Sequence, residues 1–233
     1  MFQTWHYVFV TLFLEVFCKQ RSVSYSVVDI EAPNYPLTVP YPDFSILQCG
    51  TLCTEDSYCT EFLFNKTNKQ CNAVHCVNKP GYSYQFLSPK NDQLLRFRKD
   101  LNWIEYMGHY YYHVEKNATW EEAKLECQKL CSYLVEINSK EESDWLAASF
   151  LMKDSCDSNI YLSCTAWTGG NDRSTEGGYL WDHTNSLISF TNWYIGEPNG
   201  RDGENCIHLT NDGRWNDIWC DTPLYYICEK NYI

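Results

Sequence analysis

The sequence predicts two disulfide-rich α+β domains of an extracellular protein. Thirteen cysteines in 233 residues are too many for an ordinary cytosolic protein, where disulfides are rare. Hydrophobic residues make up 44% of the chain, which is enough for packed cores and excludes a disordered protein. In the C-terminal half, two helix-start motifs precede a series of short apolar segments. Two helices followed by a loop-rich sheet predict an α+β fold.

The N-terminus carries a predicted export signal. Residues 7–17 read YVFVTLFLEVF, which is too short to span a membrane and has the length of a signal-peptide core. We therefore expect a signal peptide over residues 1–18 and a secreted, extracellular protein. A buried strand is the alternative, since Glu15 interrupts the apolar run. Cleavage would remove Cys18 and leave twelve cysteines, an even number that can be fully paired.

Charge and hydropathy exclude two further classes. The chain has 18 basic and 30 acidic residues, a net charge of −12, which argues against a nucleic-acid-binding protein because such proteins need a basic face. After residue 18, no stretch approaches the length of apolar chain that a membrane span requires. A polar, charged segment near residues 99–102 predicts a domain junction. We expect domains over residues 25–98 and 103–233.

The first domain is expected to contain one short helix. Ser45 is a favourable N-cap residue, and the helix it opens would run through Thr54. Ile46, Cys49 and Cys53 then share one face of that helix at spacings of three and seven residues. This face is expected to lie on the domain core.

Two strands should follow that helix. Residues 61–65 and 71–76 are apolar segments joined by a polar turn, which predicts a hairpin. A helix stapled by disulfides to a hairpin suits a domain too small for a large core. The C-x3-C-x5-C-x11-C spacing resembles that of the PAN/apple-like domains.

The second domain opens with two predicted helices. Residues 119–122 and 139–142 both have the capping-box pattern, in which a Ser or Thr is followed three residues later by Glu. The second helix should extend through Phe150. A short buried strand is expected between the helices, and the later strands are expected at 165–170, 178–182, 204–209, 214–220 and 225–229.

Motifs along the second domain resemble the C-type lectin domain over residues 103–233. The motifs that carry this resemblance are WEEA-x3-C at 120–127, LVEINSKEE at 134–142, AWTGGND at 166–172, EGGYLW at 176–181, EPN at 197–199, ENC at 204–206, WND at 215–217 and YYICE at 225–229. Their order and spacing imply the short form of that fold, with long calcium-binding loops. The resemblance also implies a cis Glu197–Pro198 peptide bond.

The two resemblances imply most of the cysteine pairing. The implied disulfides are Cys127–Cys228, Cys206–Cys220, Cys49–Cys71 and Cys53–Cys59. Among the remaining cysteines, Cys156 and Cys164 are close enough in sequence to close a local loop. Cys76 and Cys131 are then left, one in each domain. A bridge between these two is our expectation, and pairing between chains is the alternative.

Five oxygen-bearing side chains form the candidate metal and carbohydrate site. They are Glu197, Asn199, Glu204, Asn216 and Asp217. Calcium takes six to eight oxygen ligands, so carboxylates and amides gathered in one region point to calcium as the cofactor. A solvated acidic loop is the alternative, since Asp and Glu are mostly exposed. In the family, the EPN order implies mannose-type sugars, namely mannose, glucose, N-acetylglucosamine or fucose.

A second calcium site is left open by the sequence. Its candidate ligands are Asp172, Glu176, Glu204 and Asn205. Gly200 and Asn205 stand where the family usually has acids, and a lower ligand charge weakens calcium affinity.

The function expected from these observations is calcium-dependent glycan binding without catalysis. No zinc-binding, nucleophile-elbow or P-loop motif occurs in the sequence. The expected partners are glycans or glycoproteins in pathogen or glycan recognition, with an oligomer supplying avidity. The alternative is a protein-binding or extracellular-matrix protein. Sequons predict glycosylation at Asn65 and Asn117, and one tryptophan of Trp181, Trp193, Trp215 and Trp219 is a candidate for stacking on sugar.

Overall fold

The chain folds into two units, residues 1–101 and 102–233. The computed structural model describes residues 14–18, 21–28, 37–38, 40–79, 84–85, 94–153, 156, 164–200 and 203–231. Residues 1–13 of the expected signal peptide lie outside the described residues. Residues 14–18 form a strand that pairs with residues 21–25, as the strand alternative expects, so the signal peptide itself stays a prediction. No helix in the described parts of the chain has both the length and the apolar character that crossing a membrane requires.

The N-terminal unit is an antiparallel sheet with one helix against it. Its strands are β1 (Leu14–Cys18), β2 (Arg21–Val28), β3 (Leu37–Thr38), β4 (Cys59–Asn65), β5 (Gln70–His75), β6 (Tyr84–Gln85) and β7 (Leu94–Lys99). Their spatial order is β1-β2-β7-β4-β5-β3-β6. The expected hairpin is formed by β4 and β5, which pair from Cys59 opposite His75 to Asn65 opposite Gln70.

The helix of this unit, α1 (Ile46–Glu55), begins where the sequence predicts. The Ser45 side chain accepts a hydrogen bond from the Gln48 amide, and the Gln48 side chain accepts one from the Ser45 amide. This reciprocal cap satisfies two backbone donors that a helix start leaves without partners. Cys49 and Cys53 are buried on the predicted face.

The cysteines of this unit differ from the expected pairing at one bond. Cys53 and Cys59 form a disulfide, whereas Cys49 and Cys71 are free buried thiols. The expected Cys49–Cys71 bond is therefore corrected. Helix α1 and strand β5 bring the two thiols only into hydrogen-bonding contact. This contact and burial raise the pKa of Cys71, so the Cys71 thiol stays protonated.

The C-terminal unit is built around a mixed sheet, in which one of the described strand pairs is parallel and the others are antiparallel. Its strands are β8 (Ile104–Tyr106), β9 (His109–Ala118), β10 (Tyr133–Leu134), β11 (Ala166–Asn171), β12 (Leu180–Trp181), β13 (Cys206–Leu209), β14 (Trp215–Ile218) and β15 (Leu224–Asn231). The order β14-β13-β11-β15-β9-β8 forms the sheet, with β10 paired to β15 and β12 paired to β11. Strands β11 and β15 are parallel, and the other pairs in this unit are antiparallel.

The two helices of this unit start at the predicted residues but are capped differently. Thr119 and Glu122 form a full capping box at the start of α2 (Trp120–Lys129). At α3 (Lys140–Leu146), Ser139 accepts from the Glu142 amide. The Glu142 carboxylate accepts instead from the Asn138 amide at 2.8 Å and the Tyr111 hydroxyl at 2.6 Å. The expected second capping box is thus only half formed.

The end of α3 departs from a regular helix. Residues Ala147–Leu151 form a π-helical turn, which carries Phe150 onto the core. The expected helix therefore reaches Phe150 with a changed winding, because a π turn rotates the following side chains relative to an α-helix.

Disulfides tie the C-terminal unit at three places. Cys127–Cys228 joins α2 to β15, Cys206–Cys220 closes the β13–β14 hairpin, and Cys156–Cys164 closes a local loop. Cys76 and Cys131 are also disulfide-bonded. Their pairing with each other stays a prediction.

Candidate functional site

The candidate site lies on the β13–β14 hairpin and the loop that precedes it. In the hairpin, Ile207 pairs with Asp217 and His208 pairs with Asn216. The Cys206–Cys220 disulfide, with its Cα atoms 5.2 Å apart, holds the open end of the hairpin together. Because side chains alternate along a strand, neighbouring residues of β14 point to opposite sides of the hairpin.

The loop over residues 194–200 is fixed to strand β14 by backbone hydrogen bonds. The Tyr194 amide donates to the Trp215 carbonyl at 2.8 Å, and the Glu197 amide donates to the Tyr194 carbonyl at 3.0 Å. Gly196 has φ +93°, a conformation that a residue with a Cβ rarely adopts. The Glu197–Pro198 peptide bond is cis. The two backbone hydrogen bonds give the EPN segment a defined position beside β14.

Glu197, Asn199 and Asp217 converge at this loop. The Asn199 side-chain nitrogen donates to Glu197 Oε2 at 2.6 Å. The backbone amides of Asn199 and Gly200 each donate to the Asp217 carboxylate at 3.3 Å. Asp217 is only 1% exposed. The structure thus brings three of the five predicted ligands into one group.

The electrostatics of this group are dominated by buried negative charge. Burial raises the pKa of Glu197, and so do the adjacent carboxyl group and charge of Asp217. Burial also raises the pKa of Asp172, with a further contribution from Asp217. Carboxylates this close repel each other when ionised, and a bound cation would relieve that repulsion.

Tyr179 is a member of the group that the sequence analysis did not identify. Its hydroxyl donates to Asp217 Oδ2 at 3.0 Å. Burial raises the pKa of Tyr179 first, and the charges of Asp217 and Asp172 raise it further. The phenol therefore remains a donor that orients the Asp217 carboxylate. Its signal in the sequence was its place in the EGGYLW motif.

Asn216 lies on the other side of the hairpin. Its side-chain nitrogen is 3.0 Å from His208 Nε2 and donates to the Asp217 carbonyl at 2.8 Å. Complete burial lowers the pKa of His208 to about 3, so this histidine is neutral and Nε2 accepts the hydrogen bond. The structure does not bring the Asn216 amide nitrogen into the Glu197–Asp217 group.

Glu204 is buried at the start of the hairpin. It is 6% exposed and lies two residues before Cys206, whose disulfide fixes this end of β13. Burying a carboxylate is costly unless it is paired or bound to a cation. Its place beside the hairpin is that of a fourth candidate ligand.

The candidate residues of the second site are partly assembled. Asp172 is 2% exposed, and its Oδ2 accepts from the Gly177 amide at 2.8 Å. Its Oδ1 is buried without a hydrogen-bond partner among the described residues. The Asp172 amide donates to the Asn205 carbonyl at 3.1 Å. Glu176 is exposed, and its Oε1 would be 3.3 Å from a Cβ atom placed on Gly200.

The donor set of the main group fits a hard cation. In the described parts of the chain, no three His, Cys, Asp or Glu side chains are arranged to hold a metal by themselves. The group consists instead of two carboxylates and one amide, in Glu197, Asp217 and Asn199. Carboxylate and amide oxygens are ligands that calcium prefers, whereas zinc favours nitrogen and sulfur. The orphaned Asp172 Oδ1 is a further oxygen among the described residues that is a candidate ligand.

Comparisons with known proteins begin with a family-model match over residues 116–230. This segment matches the family model described as "Lectin C-type domain". The chain is 35% identical over 130 residues to a hepatic lectin of Gallus gallus, covering 55% of this chain and 58% of the relative. It is 33% identical over 131 residues to the low affinity immunoglobulin epsilon Fc receptor of Mus musculus, covering 55% of this chain and 36% of that one.

A third relative is matched over most of its length. The chain is 31% identical over 129 residues to a perlucin-like protein of Mytilus galloprovincialis, covering 54% of this chain and 79% of the relative. By contrast, the chain spans little more than half of the hepatic lectin and about a third of the Fc receptor.

Proposed function

Because the chain belongs to the C-type lectin family, we propose that it is a calcium-dependent carbohydrate-binding protein that recognises mannose-type sugars. Family membership rests on the match over residues 116–230 and on 31% identity to a relative of which the chain covers 79%. The observation that carries the proposal is the convergence of Glu197, Asn199 and Asp217 beside the β13–β14 hairpin.

The residues proposed to hold calcium are those that present oxygen at this hairpin. Glu197, Asn199, Glu204 and Asp217 contribute side-chain oxygens. Asn216 contributes an oxygen of its side chain or backbone, because its amide nitrogen is engaged with His208. Bound calcium supplies coordination positions for outside oxygens, such as two vicinal sugar hydroxyls.

Glu197 and Asn199 are proposed to read the sugar hydroxyls. A hydroxyl both donates and accepts, so it can donate to the Glu197 carboxylate and accept from the Asn199 amide. The Asn199–Glu197 hydrogen bond of 2.6 Å supports this proposal, because it brings the two groups close together. The EPN order favours mannose, glucose, N-acetylglucosamine or fucose over galactose.

A second calcium is proposed at Asp172, Glu176, Glu204 and Asn205. The orphaned Asp172 Oδ1 supports it, because a buried carboxylate oxygen without a donor is stabilised by a cation. Asn205 contacts Asp172 through its backbone carbonyl, so its contribution is proposed to be that carbonyl.

The wider setting of this function is also proposed. We place the protein outside the cell, with a cleaved signal peptide, glycosylation at Asn65 and Asn117, and a PAN/apple-like N-terminal unit. Its partners would be glycans or glycoproteins encountered in innate recognition. The family shown is carbohydrate-binding, which is consistent with a protein that is not an enzyme.

The test is retention on immobilised mannose. The full chain should bind mannose-agarose in calcium and elute with a chelator, and it should pass through galactose-agarose under the same conditions. Passage through both resins in saturating calcium would contradict the proposed sugar specificity.

Protein binding is the second candidate function. One relative, 33% identical, is by its name a receptor for the immunoglobulin epsilon Fc segment. Retention on a deglycosylated protein ligand, unchanged by chelator and by free mannose, would favour this candidate over sugar binding.

A further inference from the structure

One exposed tryptophan flanks the proposed calcium group. Among the tryptophans of the hairpin and its loops, Trp181 and Trp215 are buried in the core. Trp193 is half-buried, with its ring against those of Tyr179 and Trp215. Trp219, by contrast, is 46% exposed. Of these four side chains, Trp219 is therefore the one most open to solvent.

The position of Trp219 ties it to two of the proposed ligands. It follows directly after β14 and is two residues from Asp217. A Cβ atom placed on Gly203 would lie 3.4 Å from the Trp219 Cδ1 atom and 3.6 Å from Nε1, so the indole lies against the Gly203 backbone. Gly203 immediately precedes Glu204. The ring thus lies against the residue that leads into Glu204, two residues along the chain from Asp217.

The backbone around this ring is held in place. The Thr222 amide donates to the Trp219 carbonyl at 3.0 Å, which closes a turn after the strand. The next residue, Cys220, is bonded to Cys206. Gly203 has φ +90°, so its place under the indole suits a glycine. A fixed aromatic surface loses little entropy when a ligand covers it.

We propose that Trp219 forms an aromatic subsite for the saccharide residue linked to the one bound at the calcium. A pyranose has a face of C–H groups and a rim of hydroxyls. An exposed indole can cover the apolar face, while the hydroxyls remain in water or bond to the polar rim. This inference rests on the proposed sugar-binding function and names its ligand class as oligosaccharides rather than single sugars.

The Trp219 subsite should raise the affinity for linked mannose residues but not for a single mannose. A single mannose at the calcium uses Glu197 and Asn199 and leaves the indole uncovered. A linked mannose adds contact with the indole and excludes water from both surfaces. The wild-type protein should therefore bind mannobiose and mannotriose more tightly than methyl α-mannoside.

The experiment compares these three sugars by titration calorimetry in saturating calcium. Trp219→Ala should weaken mannotriose binding about fivefold and leave methyl α-mannoside binding unchanged. Trp219→Phe, which keeps a smaller ring, should fall between the two. Met152→Ala is the matched control, because Met152 is also an exposed apolar residue of this unit but lies at the end of the π-helical turn.

The outcomes separate this inference from the proposed function. Equal affinity of Trp219→Ala and wild type for mannotriose would overturn the subsite, even with mannose binding intact. Equal loss for both sugars would also overturn it, because Trp219 would then support the calcium group itself. Calcium binding without any sugar binding by the wild type would instead contradict the proposed function, and the subsite with it.

Discussion

The Asp217 carboxylate is oriented by three donors from two separate segments. They are the Tyr179 hydroxyl and the backbone amides of Asn199 and Gly200. Glu197 faces the same carboxylate, and its raised pKa reports burial together with the charge of Asp217. At the residue scale, the site therefore consists of three donors around the Asp217 carboxylate. Glu197 and Asn199, which supply the other carboxylate and the side-chain amide, are more exposed than Asp217.

Exchanging the acid and the amide of the EPN segment should change sugar specificity. In Glu197→Gln with Asn199→Asp, the number of oxygen ligands is kept but the order of donor and acceptor is reversed. We expect loss of mannose binding and a gain of galactose binding, measured by competition on immobilised sugars in saturating calcium.

A matched double variant controls for the loss of one acid and gain of another. Glu141→Gln with Asn211→Asp makes the same chemical changes at an exposed helix position and a hairpin turn. It should bind mannose as the wild type does. If the first double variant also keeps wild-type mannose binding, Glu197 and Asn199 do not read the sugar.

His113 should make the folded state sensitive to acid. Its side chain is 7% exposed and lies against the rings of Phe150 and Tyr225. Burial lowers the pKa of His113 from 6.5 to about 4, outweighing the nearby charge of Glu115. Between about pH 6.5 and pH 4, His113 is therefore protonated in the unfolded chain but neutral in the folded chain.

The sign of this effect follows from proton linkage. The contribution to stability is fully present above pH 6.5 and is lost as the pH falls toward 4. The slope is up to about 1.4 kcal/mol per pH unit. His113→Phe should flatten the dependence of unfolding free energy on pH in this window, as measured by urea denaturation.

A second variant guards against poor packing of the phenylalanine. His113→Gln also removes the titration and should flatten the same slope, even where its stability is lower. The measurement is repeated in chelator and in excess calcium. A slope identical to that of the wild type in both variants would mean that other groups bind the protons.

At the element scale, helix starts are the features that the sequence predicted best. Ser45, Thr119 and Ser139 each cap a helix within one residue of the expected start. Caps are local, because a hydroxyl and an amide three residues apart decide them. Strand β9 was missed, because its sequence HYYYHVEKNA has no alternation of apolar and polar residues.

The winding of α3 could not be predicted for a related reason. The change to a π-helical turn at Ala147–Leu151 depends on how Phe150 meets the core, which is a contact with distant strands. In the same way, Glu142 turns to Asn138 and Tyr111 because Tyr111 of β9 lies within reach. Tertiary contacts decided both features.

Removing the cap of α2 should destabilise the C-terminal unit measurably. Thr119 Oγ1 accepts from the Glu122 amide at 3.3 Å, and Glu122 Oε2 accepts from the Thr119 amide at 2.9 Å. Thr119→Ala removes the first bond and should lower the free energy of unfolding by about 1 kcal/mol. Thr119→Ser keeps the hydroxyl and should stay close to the wild type. Equal loss in both would show that the methyl group, not the cap, is responsible.

At the scale of the whole molecule, the family resemblances and the short Cys156–Cys164 spacing predicted covalent links better than the sequence predicted side-chain direction. The pairs Cys53–Cys59, Cys127–Cys228, Cys156–Cys164 and Cys206–Cys220 are bonded in the structure. The Cys49 and Cys71 thiols are in contact but free. The direction of Asn216 toward His208 was also not predicted, because it depends on the register of two strands rather than on a motif.

Calcium bound by Asp217 should stabilise the fold. The effect of an Asp217 substitution on the unfolding temperature should therefore differ in sign with and without calcium. A ligand that binds only the folded state adds about 2.7 kcal/mol at a hundred times its dissociation constant. The wild type should therefore unfold at a higher temperature in excess calcium than in chelator. Asp217→Asn should gain little from calcium, because a carboxylate ligand is gone.

In chelator, the same substitution should have the opposite consequence. Asn at position 217 removes one of the two facing negative charges while keeping an oxygen that accepts from Tyr179, so repulsion with Glu197 falls. Asp217→Asn should then be as stable as the wild type or more stable without calcium, and less stable with it. Asp221→Asn changes an exposed acid directly after Cys220 and should follow the wild type in both conditions. Differential scanning calorimetry of the three proteins decides the matter: equal calcium-induced shifts in wild type and Asp217→Asn would remove Asp217 from the ligands.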